Sequence, residues 1–413
     1  MCAKNFPLEV FWRYLFFKKG SKQKKTIKNP NLTFGAFDGI LKAVNYRRTD
    51  MEKQFLELAK IFCIEGEIKR YSVISNGNIN QTYDVVIERD GEEKRYVFQR
   101  LNIYVFKNPK RIMQNIEKIT SHIAKKLEMM GRSRDCVMHF AHRADGKNYY
   151  TMDQGFWRVS EYVPNTVTFN SCDDLSKLRS AGKAFGEFQT MLADFDASEL
   201  FETIPNFHNT RSRIAVLMRH ANEDPCGRVE DVSEELKRIR AYTPLAIRLN
   251  ELLDSQEIPL RVTHNDTKIN NVLFDEESGE AKTVIDLDTV MPGLVAHDFG
   301  DAVRFAANTA AEDEKDVSLV SLDVDKFRAF AEGFIPEISS ALTPVELQTL
   351  ALGAFTMTVE LAVRFLDDYI TGDQYFKTNY QGHNLVRTRS QLALADDIYS
   401  KLDELNSIVA GLI

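Results

Sequence analysis

The chain has 413 residues, room for two lobes or domains, and its 44% hydrophobic and 27% charged content is that of an ordinary globular protein. A formal net charge of −7 supplies no global positive field, which argues against general nucleic-acid binding. Five scattered cysteines (Cys2, Cys63, Cys136, Cys172, Cys226) form no CxxC pair, favouring a reducing, cytoplasmic setting over disulfides or zinc, and no run approaches the ~18 apolar residues of a membrane span.

Residues 1–50 stand apart, with eleven basic residues against Glu9, Asp38 and Asp50. The aromatic stretch Phe6–Phe17, broken by Glu9 and Arg13, is too short and charged for a signal peptide. It reads as a loosely ordered extension ahead of a functional start at Met51, or as an amphipathic surface anchor. From Met51 the pattern becomes regular. Met51–Phe62 has helical apolar spacing, and Ile68–Ile74 alternates as a strand before the turn residues Ser75–Asn78. Tyr83–Ile87 and Tyr96–Leu101 follow as strands joined by the hairpin signal Arg89-Asp-Gly91. A strand, a Gly-Asn turn and a strand can fold over nucleotide phosphates, because Gly77 lets the backbone approach closely. The spacing predicts a helix over Pro109–Leu127, with Glu117 mid-helix, then strands at Tyr149–Met152 and Phe156–Val163, ended by Pro164. Five short strands with one helix describe a small lobe, 51–160. The mostly helical 161–413 describes a larger one.

In the larger part, Leu175–Phe195 reads as a helix with a core-facing stripe. The polar loop Pro205–Arg211 offers His208 and Arg211 as substrate contacts or loop-fixing groups. Helices are predicted at Val232–Tyr242 and Pro244–Leu253. Then comes Val262–Phe274 (VTHNDTKINNVLF), followed by Val284–Gly293 (VIDLDTVMPG). Asp266 and Asp286 sit at the ends of short apolar runs, and Asn271 lies on the same loop as Asp266. That set suits phosphoryl transfer: one carboxylate accepts the proton of an attacking hydroxyl, while the carboxamide and the second carboxylate hold magnesium on the nucleotide phosphates. Ala296–Phe305 places Asp298 to cap the helix it leads into or to brace the catalytic loop. Helices follow at Val324–Phe334, Pro344–Leu366 and Gln391–Ile408, with a polar aromatic loop at Asp367–Tyr375.

These motifs resemble the aminoglycoside phosphotransferase-like kinase superfamily and, within it, the N-acetylhexosamine 1-kinase group. The resemblance rests on Gly77–Tyr83 (GNINQTY), Phe98–Asn102 (FQRLN) with Val105–Pro109 (VFKNP), and Thr263–Asn271 (THNDTKINN). It continues through Val284–Gly293, Asp298–Arg304 (DFGDAVR), Arg364–Tyr369 (RFLDDY) and Gly372–Lys377 (GDQYFK). The resemblance implies an α+β, bilobal, protein-kinase-like fold and ATP-dependent phosphorylation of the anomeric hydroxyl of N-acetylglucosamine or N-acetylgalactosamine. It makes Asp266 the base, Asn271 and Asp286 the magnesium ligands, and Asp288 a support of the metal through water. His264 would anchor the loop. Gly77, Asn78, Ile79 and Asn80 would cover the phosphates, and the Glu161–Val163 backbone would bind adenine. Arg364, Tyr375 and Phe305, with His208 from the polar loop, would face a small-molecule sugar.

One position departs from kinases of this fold, which usually place a lysine on the third strand, paired with a helix glutamate. Gln99 and Arg100 stand there on opposite faces; Gln99 brings no charge and Arg100 could if it faces the cleft, which leaves the phosphate-neutralising cation unassigned. Two other readings stay open: a kinase of another small alcohol such as choline, homoserine or a different sugar, and a nucleotide-binding pseudokinase.

Overall fold

A computed structural model describes residues 50–74, 79–152 and 155–413. The chain divides into two compact units, 1–55 and 56–413, and the site lies wholly within the second. The basic stretch over 1–49 and the phosphate-loop residues Gly77 and Asn78 fall outside the described residues.

After a helix over 50–61 (α1), alternating sequence builds a five-stranded antiparallel sheet. Its strands are β1 (Glu67–Ile74), β2 (Gln81–Arg89), β3 (Glu92–Leu101), β4 (Tyr150–Met152) and β5 (Gly155–Glu161), in the order β1-β2-β3-β5-β4. Asp90 and Gly91 turn β2 into β3 with φ of 54° and 85°. Two positive φ values in succession make the turn whose twist matches the strands it joins. Between β3 and β4 runs α2 (Pro109–Met129). It begins with a proline, whose missing N–H costs nothing there, and buries Ile112, Ile116, Ile119, Ile123 and Leu127 along one stripe.

Most of the remaining elements are helices: α3 (Leu175–Met191), α4 (Thr210–Glu223), α5 (Ser233–Ala246), α6 (Arg248–Asp254), α7 (Val295–Ala306), α8 (Val324–Ile338), α9 (Pro344–Gln348), α10 (Leu350–Ile370) and α11 (His383–Ala410). Small sheets interrupt them: β6 (Thr166–Val167) with β8 (Val272–Asp275) and β9 (Ala281–Val284), and β7 (Arg261–Thr263) with β10 (Met291–Gly293). Helix boundaries differ from expectation in several places: the last helix starts at His383 and not at Gln391, and two other differences have a local cause. Pro244 lies inside α5, where the Thr243 hydroxyl bonds the Ile239 carbonyl at 2.8 Å and supports the turn that proline weakens. The expected long helix from Pro344 is two helices, parted at Thr349, whose hydroxyl takes the Glu346 carbonyl at 2.7 Å.

Phe299 of α7 packs against Phe327, Phe330 and Phe334 of α8 at ring separations of 5.4–5.7 Å, forming the centre of the helical core. On the other side α7 crosses α10 with backbones touching. A methyl on Gly300 would stand 2.2 Å from the Gly353 carbonyl, and one on Gly353 would stand 1.9 Å from that of Ala296. Among the described residues no helix is long and apolar enough to cross a membrane.

Candidate active site

The loop between β7 and β8 carries Asp266, and three neighbours fix its backbone. The first is Asp298, in the first turn of α7, whose carboxylate accepts the N–H groups of His264 and Asn265, both at 2.7 Å, and the Gln189 amide of α3. Burial pushes its pKa up, yet these donors satisfy the ion. The second is Thr289, whose hydroxyl donates to the His264 carbonyl at 2.7 Å. The third is His208, which donates to the Asn265 carbonyl across 3.1 Å while its other ring nitrogen meets Glu360 at 2.8 Å. Both partners of that imidazole are acceptors, so it carries two protons. Burial lowers its pKa, but Glu360 reverses this and the net shift is upward, while the pKa of Glu360 falls to about 2. His208 was expected to contact substrate. Its side chain is only 8% exposed and it braces the catalytic loop instead. Arg211, the other candidate on that loop, turns away to Asp254 at 2.5 Å on the surface.

With its backbone held, Asn265 adopts a left-handed conformation (φ 63°) and the next side chain, Asp266, faces the cleft. Asn271 donates to the Asp266 carboxylate at 3.0 Å and to its carbonyl at 2.8 Å, while Lys268 ion-pairs with the carboxylate at 2.8 Å. Burial raises the pKa of Asp266, but Lys268, His264 and Asn271 together outweigh it, so the group stays ionised. Across the loop, His264 bonds the Ile285 carbonyl at 2.9 Å, tying the catalytic loop to the strand end that presents Asp286. Asp286 is itself left-handed (φ 58°). Its carboxylate makes no hydrogen bond or ion pair among the described residues. Although the side chain faces the open cleft, desolvation by surrounding protein, with Asp288 and Asp266 adding like charge, pushes its pKa up to about 7. An unneutralised carboxylate next to the free Oδ1 of Asn271 is a hard-oxygen pair suited to magnesium, which takes few protein ligands and completes its shell with phosphate and water. Among the described residues no cluster of three or more His, Cys, Asp or Glu is arranged to hold a metal alone.

Asp288, expected to support the metal through water, is engaged by protein groups. Its two oxygens are taken by Arg158 of β5 and by the Asn80 amide, the latter at 2.8 Å. Asn80 also accepts the Asn102 N–H at 3.0 Å, so it links the residues just before β2 to the larger lobe. Arg158 was not anticipated, and it corrects the candidacy of Arg100. In the β3–β5 register Gln99 opposes Arg158 and Arg100 opposes Trp157, so these pairs occupy opposite faces. Gln99 and Arg158 line the cleft. Arg100 lies on the far side, beside Gly155. Glu117 of α2 also points elsewhere, to His142 at 2.9 Å and Asn148 at 2.8 Å.

The cleft has a volume of about 390 Å³, and Asp266, Asn271, Asp286, Ile79, Asn80, Glu161 and Val163 all border it. At its hinge the Tyr162 N–H is spent on the Arg95 carbonyl and the Val163 carbonyl accepts the Thr166 hydroxyl at 2.8 Å, while the Val163 N–H makes no bond among the described residues. Beyond the catalytic loop, the Arg364 guanidinium lies 5.5 Å from the Phe207 ring and 5.6 Å from the Phe376 ring, and among the described residues it forms no ion pair, acting on Glu360 only at longer range. Arg213 stands near it, its Nε buried without a partner and its pKa lowered by burial and by Arg364. Tyr375 is 67% exposed and Phe305 is half-buried against the helical core.

The model of a family described as phosphotransferase enzymes, APH, matches residues 70–321, more than half of the chain. Among solved structures, an aminoglycoside phosphotransferase from Alicyclobacillus acidocaldarius superposes with a TM-score of 0.54 at 13% identity, covering 84% of this chain and 93% of that one. A spectinomycin phosphotransferase in complex with ADP and spectinomycin gives 0.52 at 12% identity, with 83% and 97% covered. A choline/ethanolamine kinase family protein from Mesorhizobium loti gives 0.51 at 14% identity, with 87% and 98% covered. At these identities the structures speak for the fold, which is the bilobal, protein-kinase-like one. The family match, on that fold, makes the chain a member of the phosphotransferase enzyme family, a small-molecule kinase with an alcohol group as acceptor.

Proposed function

We propose that the chain transfers the γ-phosphoryl group of ATP to the anomeric hydroxyl of an N-acetylhexosamine, giving the sugar 1-phosphate. The observation that carries the acceptor class is the charge of the wall beyond the catalytic loop. Arg364 and Arg213 place two guanidinium groups there, neither ion-paired with a carboxylate among the described residues, with Glu360 and Asp367 acting on them only at longer range. A quaternary ammonium or an amino alcohol would meet repulsion at such a wall, whereas sugar hydroxyls and an amide carbonyl accept hydrogen bonds from it. The aromatic rings of Phe207 and Phe376 add apolar faces of the kind that pack on a sugar ring. Tyr375 and Phe305 belong to the same proposed wall.

Asp266 does the proton chemistry. A sugar hydroxyl keeps its proton until late in a loose transition state, so the base need only orient it and accept the proton. The donors around Asp266 keep it ionised for that task. The free Val163 N–H, with the neighbouring Glu161 backbone, suits the edge of adenine, which supports ATP as donor. Magnesium would be held by Asn271 and Asp286 and would supply charge neutralisation on the phosphates.

The test is a screen of ATP consumption over N-acetylhexosamines, plain hexoses and amino alcohols, with the phosphorylated position read by phosphorus NMR. N-acetylhexosamines should lead, with phosphate on C1. Preference for an amino alcohol would overturn the acceptor assignment.

A further inference from the structure

Kinases of this fold neutralise the nucleotide phosphates with a strand lysine held by a helix carboxylate. Neither partner stands at its usual place here, since Gln99 occupies the cleft face of β3 and Glu117 of α2 is engaged with His142 and Asn148. Another arrangement occupies the same wall. Thr82, Gln99 and Arg158 sit side by side on β2, β3 and β5, paired in register. The Gln99 amide donates to the Thr82 hydroxyl at 3.2 Å, and Arg158 Nε donates to the Gln99 carbonyl oxygen at 2.9 Å. The amide is thereby fixed, and it fixes the plane of the guanidinium. Arg158 Nη1 then ion-pairs with Asp288, at the far side of the cleft floor.

This uses Nε and Nη1 and leaves Nη2. Arg158 is 2% exposed, yet its Nη2 makes no hydrogen bond among the described residues and is absent from their sealed, unsatisfied atoms. A buried, oriented guanidinium thus keeps one nitrogen for the cleft. Only two cations border the cleft among the described residues, and the other, Lys268, is committed to Asp266. A nucleoside triphosphate entering a space that already holds Asp266, Asp286 and Asp288 needs positive charge from the protein.

We infer that Arg158 is the phosphate-binding cation of the small lobe, offering Nη2 to the phosphate oxygens of the nucleotide while Nη1 stays on Asp288. In this arrangement β5 replaces β3 as the strand that carries the charge. The carboxylate that holds it comes from the larger lobe instead of from α2. The inference rests on the phosphoryl-transfer reading and is independent of which alcohol accepts the phosphate.

The competing role is purely structural: Arg158 neutralises Asp288 and joins the lobes. Calorimetry with ATP, ADP and adenosine in the presence of magnesium separates the two, with melting temperatures as the folding control. Arg158→Gln should weaken ATP and ADP by about 10–100-fold, the scale of one or two charge-assisted hydrogen bonds, and leave adenosine within about twofold. Arg158→Lys should recover part of the ATP affinity. Because Arg158→Gln strands Asp288, the double variant Arg158→Gln/Asp288→Asn is the decisive one. It should restore the melting temperature and still bind ATP as weakly as the single variant. Wild-type ATP affinity in the double variant would overturn the inference, as would equal losses for adenosine and ATP. A wild-type chain that binds no ATP would overturn this and the kinase reading together. One that binds ATP but phosphorylates no N-acetylhexosamine would overturn the acceptor assignment alone, and the Arg158 variants would still decide.

Discussion

The loop that carries Asp266 and the residues around Arg364 are held by different means. In the loop, nearly every polar group is fixed by a directional bond. Asp298 takes two backbone N–H groups, His208 takes a carbonyl, and Asn271 takes the catalytic carboxylate. Around Arg364 most of the fixing is of backbone: Asp368 accepts the N–H groups of Gln374, Tyr375 and Phe376 at 2.8, 2.7 and 2.9 Å, and Arg213 donates to the Phe207 carbonyl at 3.2 Å. The side chains there rest on ring faces, and Tyr375 projects into solvent. On the proposed reading, the groups that handle the proton are held to a geometry, whereas several that would meet the acceptor are held less tightly.

This contrast predicts a graded set of effects. Asp266→Asn should lower turnover about 10²–10⁴-fold, the usual contribution of a positioned base, with magnesium–ATP binding retained in calorimetry. Unchanged turnover would remove Asp266 as base. Asp298→Ala leaves two buried N–H groups without acceptors, and at about 1–3 kcal/mol for each it should lower stability in denaturant melts more than any change at the wall. If the melt does not move, the loop is held by something else. Arg364→Lys keeps the charge but loses the planar fork over two rings, so acceptor KM should rise roughly tenfold with kcat little changed. A matched fall in kcat would place Arg364 with the catalytic groups.

The carboxylate of Asp286 titrates near the physiological range because its pKa is raised to about 7. A raised carboxyl favours the folded state below its unfolded value of 3.8 and loses that contribution as pH rises through about 7, where the ion forms and a divalent cation relieves it. Stabilisation by magnesium–nucleotide should therefore be larger at pH 8 than at pH 6, by about tenfold in apparent affinity. A flat profile would show that Asp286 is already neutralised. The smallest effect belongs to Arg211→Ala. This exposed ion pair with Asp254 should cost under about 1 kcal/mol, and acceptor KM should stay put.

How much of this was legible followed from where the partners lie in the chain. Asp266, Asn271 and Asp286 fall within a short contiguous run, and their convergence depends on one tight loop and one strand end. The hairpin at Asp90-Gly91 and the proline-led α2 were legible for the same local reason. Arg158 was not, because its facing is decided by the pairing of β5 with β3, and its carboxylate lies far along the chain at Asp288. Arg100 was a candidate for want of that register. His208 looked like a ligand because a histidine in a polar loop is an open-ended signal. Its meaning came from Glu360, on a helix that no local pattern connects to it.

The crossing of α7 and α10 at Gly300 and Gly353 carries a consequence of its own. One helix bears Asp298 and the other bears Glu360 and Arg364, so the crossing acts as a gauge block between the proposed phosphoryl-transfer centre and the proposed acceptor wall. With no side chain between the backbones, the gap is set at its minimum and has no slack. A single methyl at Gly300 would move both walls together, lowering turnover and acceptor affinity in the same variant.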